Sequence, residues 1–283
     1  MYNIIDGKTI SKKILEELKS KIHVLNVTGK NRVIADIVVG DDPATDVYVQ
    51  NKIKKFNEMS IKLNLIKLQS DITEEKLINK IEELNNDIDT NAIFLELPLP
   101  AHINELNVIN KISPSKDVDG FSNMSLGALF KNEKAFYPCT AEGIILLLKE
   151  SNIEISGKNV VIVGRSNIVG KPLALLMLNE NATVTICHSK THNLKEICKT
   201  ADILAVAIGK PKFIDSSYIK EGAVVIDAGI NRINQNEKSI ICGDVDFDDV
   251  ASHTSYITPV PGGVGPMTIT VLIKHIVDTL NYG

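Results

Sequence analysis

NVVIVGRSNIVGKPLALLML (159–178) opens with an apolar, β-branched run, stops at Gly164 and resumes as a helical pattern. This spacing predicts a strand, a glycine turn and a helix, with Gly164 ending the strand and Gly170 in the early helix. In such a turn, backbone N–H groups and a helix N-terminus face one point. That point suits the pyrophosphate of a dinucleotide. The spacing is not G-x-G-x-x-G: five residues separate Gly164 from Gly170, and Ser166 stands where the second glycine is usual. An ordinary tight turn between strand and helix has the same outline, so the neighbouring segments must decide.

The next strand pattern, TVTICHSKT (183–191), ends in His188, Ser189, Lys190 and Thr191 and carries no acid. A site for NAD ordinarily places Asp or Glu about 20 residues beyond the glycine turn, to hold the ribose 2′-hydroxyl. Hydrogen-bond donors there instead suit a 2′-phosphate, which a carboxylate repels. Arg165 sits in the turn itself. Arginine is scarce in this chain: of 31 basic residues only Arg32, Arg165 and Arg232 are arginine. Its planar, multi-donor head grips a phosphate bidentately. The alternative for Arg165 is a solvated surface charge. Together these features favour NADP.

Outward from this unit, strands are expected at 159–164, 183–188, 202–207 and 223–228, with helices after the first two. A rigid, turn-rich loop follows in TPVPGGVGPMT (258–268), and then a helix to about 280. The first half alternates in the same way. Ile10, Ile14, Leu15, Leu18 and Ile22 recur at helical spacing; RVIADIVVG (32–40) reads as a buried strand. A helix is expected over about 45–59 and strands over 61–68 and 92–97. Asp71 and Glu74 are read as a capping box before Leu77 and Ile81. Strands separated by helices imply parallel sheets, so the fold class is α/β with two domains.

Composition narrows the function. The net charge is −4, with no basic surplus for nucleic acid, and no apolar run approaches the roughly 18 residues that span a bilayer. MYNIIDGKTI at the start lacks a basic segment followed by an apolar core, so a cytoplasmic location is expected. Four cysteines (Cys139, Cys187, Cys198 and Cys242) are scattered without C-x-x-C spacing, which argues against a metal site or a disulfide framework.

Candidates for chemistry lie in the first half. In DDPATDVYVQNKIKKF (41–56), Tyr48 and Lys52 are four apart, so a helix puts them on one face. Tyrosine stacks on flat heterocycles, and a desolvated lysine exchanges protons near neutral pH. A solvated helix face is the plain alternative. The Y-x-x-x-K of short-chain dehydrogenases follows the glycine turn, whereas here it precedes it by more than 100 residues. FLELPLPAHI (94–103) runs a strand into a double-proline turn. SPSKDVDGFS (113–122) places Asp117 and Asp119 before Gly120. A carboxylate there accepts two hydrogen bonds from an amino-pyrimidine edge, or else caps a turn.

Taken in order, PATDVYVQNK, LELPLP, KDVDGF, YPCTAEG, GRSNIVGKP, CHSKT, GAVVIDAGIN, GDV and TPVPGGVGPMT resemble the bifunctional methylenetetrahydrofolate dehydrogenase/cyclohydrolase family over nearly the whole chain. The resemblance implies a folate-binding catalytic domain over 1–140, with 265–283 packing back on it, and a Rossmann-type NADP domain over 141–264. It implies a hydride transfer from 5,10-methylenetetrahydrofolate to NADP, followed by hydration of the methenyl product to 10-formyltetrahydrofolate. By position, Tyr48 would stack on the pterin, Lys52 would be the acid/base of the hydration step, and Asp119 would hold the amino-pyrimidine edge. Pro261, Gly262 and Gly263 would line the folate pocket, and Gly164, Arg165, Ser166, Ser189 and Ile230 would contact NADP. No metal is implied, and a homodimer paired through the cofactor domain is. Two positions depart from the family pattern. Ala141 replaces a proline, and Glu96 stands where glutamine is usual. A carboxylate beside Lys52 favours its ammonium form, which predicts a bias toward the dehydrogenase, with weak or absent cyclohydrolase as the alternative function. Glu96 is thereby a third catalytic candidate beside Lys52 and Tyr48.

Overall fold

The computed structural model describes residues 2–27, 33–41, 43–235 and 238–279, with side chains described at all of these except 25–27, 43–48, 51, 234–235 and 238–239. Two compact units emerge: one from Ile14–Tyr137 with the chain from Leu272 on, the other from Met1–Lys13 with Pro138–Val271.

The second of these holds a six-stranded sheet. Its strands are β1 (Asn3–Ile4), β5 (Asn159–Val163), β6 (Thr183–Cys187), β7 (Ile203–Val206), β8 (Ala223–Asp227) and β11 (Thr254–Ile257). The order is β1-β11-β8-β7-β5-β6, and every pairing is parallel. The four expected strands are β5 to β8, each ending within a residue of its expected boundary. Parallel strands are covered on both faces, which is why β5, β7 and β8 are nearly continuous apolar runs. Their inward residues, including Val161, Val163, Leu204, Val206 and Val225, pack in one core.

The other unit holds three parallel strands, β2 (Val33–Val39), β3 (Lys62–Leu68) and β4 (Thr90–Leu95), in the order β3-β2-β4. Side chains alternate across a strand. Ala35 and Ile37 of β2, with Ile93 and Leu95 of β4, pack against Leu77, Ile81 and Leu84 of the helix Glu74–Asn86. The opposite alternation, Asp36 with its register partner Phe94, is left for the other face.

One expectation needs correction. The helix Glu74–Asn86 is capped by Thr73, whose hydroxyl accepts from Lys76 N at 3.3 Å, and not by an Asp71–Glu74 box. The Glu74 carboxylate turns away, to accept from Asn104 N and Asn107 Nδ2. Strand β1 pairs with β11 at the edge of the six-stranded sheet, and residues 1–13 cluster with that unit. A hairpin of β9 (Asn231–Gln235) and β10 (Lys238–Cys242), and strand β11, were not expected from the sequence.

Asp227, at the end of β8, ties this sheet to the following loops. Its carboxylate accepts from the N–H groups of Gly229, Asp244 and Val245 at 2.9–3.0 Å. Asp227→Ala strands three buried donors, each costing about 1–3 kcal/mol. Urea unfolding followed by circular dichroism should show a loss of about 3 kcal/mol or more, and Asp227→Asn, which keeps one acceptor oxygen, a smaller one.

Candidate active site and cofactor cavity

The sequence LELPLP follows β4, where Glu96 N still donates to Ile37 O at 2.9 Å and so continues the ladder. Glu96 is two residues past Phe94 and projects on the same face as Asp36 of the central strand β2. The helix Pro43–Glu58 lies over that face. Its Lys52 is 1% exposed, beside the fully buried Phe56. Lys52 Nζ lies 2.9 Å from an Asp36 oxygen, is ion-paired and hydrogen-bonded to Glu96, and stands 4.5 Å from the centre of the Phe94 ring. Tyr48 is on the same helix, one turn earlier; its side chain lies outside the described residues.

The electrostatics follow from burial. Burial alone lowers a lysine, but attraction to Asp36 and then Glu96 outweighs it and raises Lys52 above its ordinary value. At 4 Å and an effective dielectric of about 20, one such attraction is worth about 4 kcal/mol, and Lys52 has two. Glu96 is raised as well, chiefly by burial and by Asp36, with Lys52 pulling the other way. A single ammonium cannot satisfy every carboxylate around it, so part of the cluster keeps its protons.

Asp117 and Asp119 divide two tasks. Asp117 is buried and holds the loop: it accepts from the N–H groups of Gly120, Phe121 and Ser122 and from Ser125 Oγ at 2.7–3.3 Å. His275 Nδ1 meets Val118 O at 2.8 Å and steadies the same loop from behind. Gly120 is at φ +72, with Phe136 and Tyr137 backbone where a Cβ would sit. Asp119, between these fixed points, is pushed up to about 8, first by burial and then by the neighbouring carboxylates, with Lys52 opposing.

In the other unit, Gly164, Arg165, Ser166, His188, Ser189 and Lys210 line a cavity of about 310 Å³ at the carboxyl ends of β5, β6 and β7. No carboxylate is among its lining residues, whereas Arg165 and Lys210 both are. Gly164 has φ +138, and a Cβ there would strike Ala207 O; Gly170 in turn packs on the Gly164 carbonyl. Ser166 Oγ accepts from Val169 N and Gly170 N at 3.1 and 3.3 Å, so it shapes the turn. Asp244 gathers the far wall, accepting from the N–H groups of Ile208, Gly209 and Lys210 at 2.6–3.0 Å. Ile230 is not in this cavity. It opens with Pro261, Gly262 and Gly263 on a second cavity of about 200 Å³ that Lys8 also lines. Thus Lys52, Glu96 and Asp119 are brought together in one unit, and Gly164, Arg165, Ser166 and Ser189 in the other.

Sequence reading passed over Asp36, Lys210 and Asp244. Asp36 had left a signal: one acid inside an otherwise apolar strand. The other two carry none that spacing would reveal.

The model of the tetrahydrofolate dehydrogenase/cyclohydrolase catalytic domain matches residues 5–119, and that of its NAD(P)-binding domain matches 138–282. The chain belongs to the tetrahydrofolate dehydrogenase/cyclohydrolase family. A bifunctional protein FolD of Agathobacter rectalis is 56% identical over 99% of both chains, and one of Bacillus mycoides is 52% identical over 98% of this chain and 96% of its own. Among solved structures, the bifunctional FolD enzyme of Campylobacter jejuni superposes with TM-score 0.96 at 43% identity, covering 100% of this chain and 99% of its own. That of Trypanosoma brucei, solved with NADP and an inhibitor, has TM-score 0.94 at 34% identity, covering 99% and 98%.

The cluster also makes a stability prediction. Lys52→Met leaves Asp36 buried without its counter-ion, so denaturant unfolding should show a loss of about 3–5 kcal/mol. Adding Asp36→Asn to Lys52→Met removes the orphaned charge and should recover most of that loss.

Proposed function

We propose that this chain is a bifunctional enzyme that oxidises 5,10-methylenetetrahydrofolate with NADP and hydrolyses the resulting 5,10-methenyltetrahydrofolate to 10-formyltetrahydrofolate. The observation that carries the reading is the buried Lys52, set among Asp36, Glu96 and Asp119 in a member of this family. Resemblance supports a cytoplasmic homodimer; among the described residues no helix is long and apolar enough to cross a membrane.

NADP suits the cavity of Arg165, Ser166, Ser189 and Lys210, because cations and hydroxyls without a carboxylate favour a 2′-phosphate. The bound cofactor supplies a hydride acceptor. Gly164 allows backbone approach to the pyrophosphate, and Arg165 grips the 2′-phosphate. In the folate unit Asp119 holds the amino-pyrimidine edge, with Tyr48 stacked on the pterin. Lys52 moves the proton of the attacking water. Hydride transfer needs alignment of the two rings and no proton transfer. Hydration of the methenyl carbon needs a group that accepts and returns a proton.

Two tests follow. Lys52→Met should abolish hydration of methenyltetrahydrofolate while NADP reduction survives in part; equal loss of both, with folate binding intact, contradicts the proton-transfer role. Arg165→Lys keeps the charge and loses the bidentate grip. It should lower kcat/KM for NADP by about tenfold or more, since hydrogen bonds to charged groups are worth roughly 1.5–3 kcal/mol, and change NAD less. Wild-type preference for NAD would overturn the cofactor assignment.

Asp119 adds a pH dependence. Burial and the neighbouring carboxylates push its carboxyl up to about 8, and the amino-pyrimidine edge needs the carboxylate. Folate affinity should therefore rise as pH rises from 7 to 9, as measured by fluorescence titration, and Asp119→Asn should flatten that rise while weakening binding throughout.

A further inference from the structure

Asp36 takes no part in the chemistry above, yet it is fully buried at the centre of the central strand β2. Neither of its oxygens accepts a backbone N–H, and its carboxylate lies 2.9 Å from Lys52 Nζ. An acid here disrupts an apolar strand, so its charge is tolerated only through the lysine it faces. We propose that Asp36 is a positioning residue for the hydration step: with Glu96 it holds Lys52 as an ammonium ion at neutral pH, so that hydration draws on a small neutral-amine fraction and quickens as pH rises. The proposal rests on the tetrahydrofolate reading.

Among the described residues, charged groups that act on Lys52 come from several elements: Asp36 of β2, Glu96 beyond β4 and Asp119 of the 113–122 loop. These three are acidic, and the Phe94 ring adds its negative face. Each favours the charged amine.

The working form is then the neutral amine. Water oxygen bonds to the cationic methenyl carbon while one water proton passes to the Lys52 Nζ lone pair. The ammonium so formed gives that proton to N5 as the C–N5 bond breaks, its electron pair staying on N5. The remaining hydroxyl proton leaves to solvent, and the carbon becomes the formyl group on N10. Asp36 touches no reacting atom; it sets the fraction of Lys52 able to begin.

The experiment is carbon-detected NMR titration of enzyme labelled at the lysine ε-carbon, with Lys52 assigned by its absence in Lys52→Met. Wild-type Lys52 should titrate above the ordinary lysine value of about 10.4. In Asp36→Asn its midpoint should fall by about one unit or more, and hydration at pH 7 should rise by about tenfold, the rise in neutral fraction that one unit gives. The pH–rate profile should move down with it, and NADP reduction should change by less than about threefold, because it needs alignment and not that proton. A Lys52 midpoint unchanged in Asp36→Asn, or a wild-type midpoint below that of ordinary lysine, overturns the proposal; the wild-type titration decides even if the variant folds poorly. Wild-type enzyme that turns over neither folate substrate sinks the functional reading, while the titration still shows whether Asp36 governs Lys52.

Discussion

The ion pair between Lys52 and Asp36 organises the folate unit. A charged amine at 1% exposure is tolerated only with anions in contact, and here they come from β2 and from the end of β4. That requirement fixes the register of the helix Pro43–Glu58 over the sheet. With Lys52 pinned to Asp36, Phe56 falls one turn later, within ring contact of Phe94. The face that binds the lysine is the face not used by Leu77 and Ile81, so the period-2 alternation of a single strand separates a packing side from a chemical side.

The cofactor unit follows another logic. There carboxylates organise backbone and stay out of the cavity. Asp227 and Asp244 together accept from the N–H groups of six residues across three loops. Spent in this way, their charges leave the cavity walls to Arg165, Lys210 and hydroxyls, which is the environment a phosphate group needs. Asp117 does the same in the folate unit, freeing Asp119 from loop support.

How much of this was legible depends on range. The strand–turn–helix at 159–178 was readable because its signal is local: an apolar run, a glycine with no room for a side chain, and a helical period. Lys52 and Asp119 were singled out by type and by resemblance. The resemblance put Glu96 beside Lys52, but Asp36 was not readable as a partner, since it meets Lys52 only through strand order and the packing of the helix on the sheet. Thr73 displaced the expected Asp71 cap because a cap depends on which residue turns extended, a one-residue matter that spacing cannot settle. Ile230, placed with NADP by resemblance, lines the cavity of Pro261–Gly263.

The central claim is that one chain carries out both oxidation and hydration, with the second step limited by a protonated lysine. Following NADPH and the methenyl chromophore together in one cuvette, starting from 5,10-methylenetetrahydrofolate, tests it directly. At pH 7 the account predicts that free methenyl product lags behind NADPH, and that the lag widens as pH is raised. Methenyl product equal to NADPH at every time and pH, beyond its uncatalysed hydrolysis, would contradict it.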